Sequence, residues 1–186
     1  LITLNFDSTE KSKSPIELTW TDGGIRPPHP DIIPADSDIG GPDSQNGVLM
    51  IGEKGIISTN INDSSPLTPK LYLYDGQTEF GPETEDMPEP EYGHQRKWVD
   101  ACKAGFRSKE HLDLTSSFDY AGPMTETVLM GNLAIRSYML RNEKSNGGFD
   151  YYARKKLLWD GDNMKITNIE EANQFVTREY REGWKI

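Results

Sequence analysis

The sequence predicts an α+β domain: an open, mainly antiparallel β-sheet with helices packed on one face. Three observations carry this. The first half consists of short apolar or alternating runs separated by turn residues, whereas the second half carries two long segments of helical period. Strands and helices are not interleaved, which argues against the strand–helix alternation of a parallel sheet. And 186 residues with 34% hydrophobic content suit one domain of ordinary size, spanning 1–186.

Taken in order, Ile2 to Phe6 and Ile16 to Trp20 alternate apolar with polar and are separated by a Lys- and Ser-rich turn, which predicts a hairpin. Asp22-Gly23-Gly24 closes the second strand. From Ile25 to Asn46, Pro27, Pro28, Pro30, Pro34 and Pro42 exclude regular structure, and a loop of that length suggests function. Val48 to Gly52 and Gly55 to Ser58 flank Glu53-Lys54 as a second hairpin, and Leu71 to Tyr74 is a further strand. Gly81 to Pro90 is an acidic, proline-bearing linker.

Helices follow. Tyr92 to Lys103 has helical spacing, with Gly105 at the C-terminal cap position. Tyr120 to Met139 is so apolar that burial on more than one face is expected. Lys156 to Trp159 is predicted as a strand, with Asp160-Gly161-Asp162-Asn163 turning into Met164 to Ile166. Asn168 is expected to cap a last helix to about Tyr180, with Glu171 in the capping-box position. Trp184 and Ile186 form an apolar end expected to dock. An open sheet leaves its second face to be polar, covered by another domain, or paired in a dimer.

A net charge of −10 disfavours nucleic acid and anionic membranes as partners. No apolar run approaches the roughly 18 residues of a membrane helix. One cysteine, Cys102, excludes a disulfide framework and a cysteine-rich metal site. His29, His94 and His111 fit no zinc spacing. There is no dinucleotide fingerprint, phosphate loop or nucleophile elbow. The chain begins with Leu1 directly in a strand pattern, as a domain starting in mid-fold would, so compartment is left open.

Four segments go further. They are Trp20-Thr21-Asp22-Gly23-Gly24-Ile25-Arg26-Pro27-Pro28; Phe118-Asp119-Tyr120-Ala121-Gly122-Pro123-Met124-Thr125-Glu126 continuing to Asn132; Leu158-Trp159-Asp160 with Met164 to Asn168; and Glu171-Ala172-Asn173 with Tyr180 to Trp184. Together they resemble the C-terminal region of the Gfo/Idh/MocA oxidoreductases, in the branch of NADH-dependent dehydrogenases common in Bacteroidetes-type bacteria. The second segment is the most specific. The resemblance implies a missing N-terminal Rossmann domain that binds NAD or NADP. This chain would be a C-terminal domain giving contacts to a sugar or polyol substrate and a homo-oligomer interface through the sheet. The family's catalytic lysine motif and histidine do not occur here, so no catalytic or metal-binding residue is assigned, and the fragment itself is expected to bind no cofactor.

For substrate contact the candidates are Trp20, Asp22 and Arg26 at the mouth of the long loop, His29 within it, His94 and Trp98 one helical turn apart, and Glu126. Each has a structural alternative. Trp20 and Trp98 suit a core, Asp22 a turn, and Asp119 a helix cap. Glu126, inside an apolar helix, needs a partner: Arg136, Arg141 or a group in the missing domain. A stand-alone carbohydrate-binding or dimerisation module, or part of an NAD-dependent glycosidase, are the competing functions.

Overall fold

The computed structural model describes residues 1–37, 39, 47–60, 69–80 and 93–184. The predicted acidic linker, much of the second half of the long loop, and Ile186 lie outside them. The chain divides into two compact units, one comprising Leu1–Thr21 with Arg96–Ile186 and the other Asp22–Gln95. Helices and antiparallel strands coexist, as an α+β chain requires. The described strands form one four-stranded and three two-stranded sheets rather than one continuous sheet.

In the first unit, β1 (Ile2–Phe6) pairs antiparallel with β2 (Ile16–Trp20). The register sets Ile2 opposite Trp20, Leu4 opposite Leu18 and Phe6 opposite Ile16, so every apolar residue of the hairpin lies on one face. On the other face the Thr3 and Thr19 hydroxyls hydrogen-bond at 3.3 Å. The apolar face is only half covered. Ile2, Leu4 and Phe6 are half-buried, whereas Ile16, Leu18 and Trp20 are exposed.

The second unit holds β3 (Gly47–Ile51), β4 (Gly55–Asn60), β5 (Lys70–Leu73) and β6 (Thr78–Phe80), joined in that order. Its register gathers Leu49, Ile56, Ser58 and Tyr72 on one face. Ile33, from the proline-rich loop, is buried against Ile56 and Tyr72, with Ile32 and Leu49 beside it. The long loop therefore covers one side of this sheet. Leu71, Leu73, Val48, Met50 and Ile57 form the opposite face, and the last three of these are exposed, Met50 by 57%.

Helix α1 (Gly93–Ala104) ends as its spacing predicts. Gly105 adopts φ 96° and donates its N–H to the Ala101 carbonyl. A short helix, α2 (Lys109–Leu112), was not foreseen; the Ser108 hydroxyl caps it by accepting the His111 N–H. Helix α3 (Phe118–Ser137) starts two residues earlier than the apolar pattern suggests. Asp119 thus lies in its first turn, where a carboxylate suits the helix dipole, rather than ahead of the helix as a cap. The expectation that α3 is buried on more than one face is not met, since only Gly131 and Ser137 are fully buried. β1 crosses the helix at Gly131, where a Cβ would stand 3.1 Å from the Ile2 side chain. Beyond that crossing Tyr120, Met124, Val128 and Ile135 remain exposed along one stripe.

Two further hairpins, of four short strands, and a 3-10 helix follow. β7 (Asn142–Glu143) pairs with β8 (Phe149–Asp150), a hairpin the sequence reading missed although Asn146-Gly147-Gly148 marks its turn. β9 (Trp159–Asp160) pairs with β10 (Lys165–Ile166) around the predicted turn. The Asn163 side-chain amide, and then its backbone N–H, bind the Asp160 carboxylate and hold it below the ordinary carboxylate range. The last helix is a 3-10 turn, Glu170–Phe175, and Ile169 rather than Asn168 precedes it. Ala153, Ile166, Ile169 and Ala172 form the buried core beneath it. Of the apolar end expected to dock, Trp184 is exposed and lies under the Arg181 guanidinium.

Among the described glycines the tightest backbone approach lies between β4 and β5. A Cβ on Gly55 would sit 2.2 Å from the Tyr72 carbonyl oxygen, and backbone cannot rotate away. Gly55→Ala is therefore expected to destabilise the four-stranded unit by about 1–3 kcal/mol. Urea unfolding should show the lowered midpoint, and an unchanged midpoint would mean the two strands can separate at no cost.

Candidate functional site

The first unit contains a concavity of about 890 Å³. Its walls are β1, the C-terminal half of α3 and the segment Ala153 to Trp159, with Ile166 at its base. The lining is mainly apolar, with Lys155 and Lys156 adding charge. An apolar cleft carrying a few polar groups is the usual form of a small-molecule site.

Four side chains fix this wall. Trp159 donates its indole N–H to Glu126 Oε1 at 2.7 Å. Glu126 also approaches Gly161, where a Cβ would lie 3.1 Å from the same oxygen. Glu126 thus has a partner, as its place in an apolar helix demands, but the partner is an indole rather than an arginine. The two arginines expected for it are engaged elsewhere, Arg136 over the Phe175 ring and Arg141 over Phe149. Asn168 and Asn173 act as substitute strands. Asn168 accepts the Leu158 N–H and donates to the Lys156 carbonyl, at 2.9 and 2.8 Å. Asn173 does the same for both polar groups of the buried Ile166, at 2.8 and 2.9 Å. An amide side chain carries one acceptor and two donors, so it can satisfy a peptide group as a neighbouring strand would. That use explains why Asn168 does not cap the helix after it.

The remaining sequence candidates occupy varied places. Trp20 closes β2 and is 64% exposed in the uncovered row with Ile16 and Leu18. Asp22 accepts the Gly23 N–H at 2.6 Å, inside a turn where Gly23 and Gly24 take φ of 67° and 83°. Arg26 is exposed and engaged. His29 has one ring nitrogen 3.2 Å from the Pro30 carbonyl and the other 3.0 Å from the Ser37 carbonyl, so it braces the loop that carries Ile33. His94 and Trp98 lie on α1, both exposed, and the reading of Trp98 as a core residue is not met.

Among the described residues no group of three or more His, Cys, Asp or Glu could hold a metal ion, and no helix is long and apolar enough to cross a membrane. The positive-φ glycines Gly23, Gly24, Gly76, Gly105, Gly147 and Gly183 occur in turns and helix ends, and none has the Gly-x-Gly-x-x-Gly spacing that opens a helix onto a pyrophosphate. No hydride step is derived through the described residues. No protein-family model, curated protein or solved structure matches the chain.

Removing the indole donor should loosen the wall of the concavity. Trp159→Phe leaves Glu126 without its N–H partner and is expected to cost about 1.5 kcal/mol, the low end for a charged acceptor because the carboxylate is only half-buried. Glu126→Gln keeps an acceptor oxygen and should stay within about 0.5 kcal/mol of wild type. Thermal unfolding of the two variants checks this; equal losses would show that the bond contributes through its charge rather than its presence.

Proposed function

We propose that this chain is the C-terminal domain of a Gfo/Idh/MocA-type oxidoreductase that uses NAD or NADP on a sugar or polyol. In this reading an N-terminal Rossmann domain supplies cofactor and catalytic groups, and the present domain supplies substrate contacts and the assembly interface. The observation that carries it is the bonding among the resemblance segments. Glu126 of the second is tied to Trp159 of the third, and Asn173 of the fourth holds Ile166 of the third. Residues chosen from sequence for resemblance alone thus support one another in one folded unit. The finer fold, a single open sheet backed by helices, belongs to the same proposal. Trp20, Asp22, Arg26, His29, His94, Trp98 and Glu126 stay the candidates for substrate contact.

Calorimetric titration of NAD and NADH into this chain is expected to give no saturable heat, because in this reading the cofactor site lies in the Rossmann domain. Saturable binding would overturn the division of labour between the two domains.

Assembly has its own support. The face of the four-stranded sheet opposite Ile33 carries Val48, Met50, Ile57, Leu71 and Leu73, an apolar set of the kind that marks an interface. This favours a homo-oligomer joined through the sheet, whether the domain works within the enzyme or as a binding module by itself. Met50→Lys combined with Ile57→Lys should convert the oligomer to a monomer in sedimentation velocity, since each buries an ammonium in the interface. A wild-type chain that sediments as a monomer at all concentrations would remove the assembly role.

A further inference from the structure

We propose that Arg141 and Arg154, arranged around Tyr151, form a binding site for a dianionic phosphoryl group, either free phosphate or a phosphate monoester. Arg154 is held between two rings, with its Cζ 3.5 Å from the Tyr151 centroid and 4.5 Å from that of Tyr138. Arg141 lies over Phe149 at 3.9 Å and donates from Nη1 to the Tyr151 hydroxyl at 2.9 Å. Two guanidiniums therefore converge on one phenol, one above its face and one at its hydroxyl edge.

Neither arginine forms an ion pair among the described residues, although the chain has 30 acidic side chains against 20 basic ones. Glu143 and Asp150 stand on the adjoining hairpin, yet the arginines contact its aromatic rings instead. The stretch from 141 to 156 carries five cations and two carboxylates, a local excess of positive charge in an acidic chain. Like charges held close together repel, and a doubly negative ligand between them relieves that repulsion.

The geometry suits such a ligand. Stacking engages the faces of a guanidinium and leaves its N–H edge free to donate in pairs, and that fork matches phosphate oxygens. The rings also fix both side chains before the ligand arrives, which lowers the entropy lost on binding. The dianion is specified because two fixed cations reward a second charge. The singly charged phosphates of a dinucleotide gain less, so this site is separate from any cofactor role.

The test is titration of the whole chain with inorganic phosphate, and separately with a hexose 6-phosphate, at ionic strength matched with chloride, followed by NMR shifts of the Arg141 and Arg154 Nε–H groups. Saturable binding is expected for both. Equal affinities identify free phosphate as the ligand, and tighter binding of the ester identifies a sugar phosphate. Arg141→Gln and Arg154→Gln should each weaken binding about tenfold, the loss of one charge-assisted fork. Arg154→Lys, which keeps charge and loses the fork, should also weaken it. Lys109→Gln, which removes an exposed cation paired with Asp113, should leave it unchanged. Shifts no larger than those given by chloride, or equal weakening by Lys109→Gln, would overturn the site.

Discussion

The first unit depends on the bond between the Trp159 indole and the Glu126 carboxylate. Helix α3 is the longest of the described elements, and its C-terminal half is covered by β1, crossing at Gly131, and by the 3-10 turn, with Leu133 against the buried core. At Glu126 the helix reaches the β9–β10 hairpin through one directional contact. A carboxylate among apolar neighbours is costly without a donor, and the indole is a donor that also brings apolar surface. This contact sets the hairpin against the helix. Asn173 then links the hairpin to the 3-10 turn, and Asn168 holds the chain entering it. The concavity is what remains between these elements and β1.

A second constraint is how little each layer covers the next. The apolar face of β1–β2 is covered over β1 and uncovered over β2. The four-stranded sheet is covered on the side of Ile33 and uncovered on the side of Met50. The stripe of α3 from Tyr120 to Ile135 is open on either side of the β1 crossing. Exposed apolar area on this scale is unfavourable in water at roughly 25 cal/mol for each Å². Contiguous exposed apolar faces are the kind of surface that marks an interaction site. The basic, aromatic cluster around Tyr151 is different in kind. Its cations are ordered by rings and have no ion-pair partner among the described residues.

Much of the local structure was legible from the sequence, for identifiable reasons. The β1–β2 and β3–β4 hairpins followed from two-residue periodicity between turn residues, and α1 from helical spacing ended by Gly105. The turn at Asp160 followed from its Asp, Gly and Asn composition. The misses have one cause as well. Asn168 looks like a helix cap because cap preference is local, but its amide satisfies Leu158 and Lys156, ten and twelve residues away. β7 and β8 are two residues each, too short for alternation to register. At the candidate site, the sequence showed that Glu126 needed a partner, since burial of a carboxylate requires one. It pointed to arginine because charge is the property a sequence displays.

By itself the sequence determined the mixed α+β class, the first two hairpins, the helices α1 and α3, and the absence of a dinucleotide fingerprint. Periodicity, turn chemistry and proline geometry act over a few residues, so all of these can be read along the chain. Only the tertiary structure decided that Trp159 answers Glu126 across 33 positions, that Ile33 covers one side of the β3–β6 sheet, and that Arg141 and Arg154 meet at Tyr151. Those pairings depend on which surfaces face one another once the elements pack. That is set by the sum of many weak contacts between distant residues, and no local pattern records it.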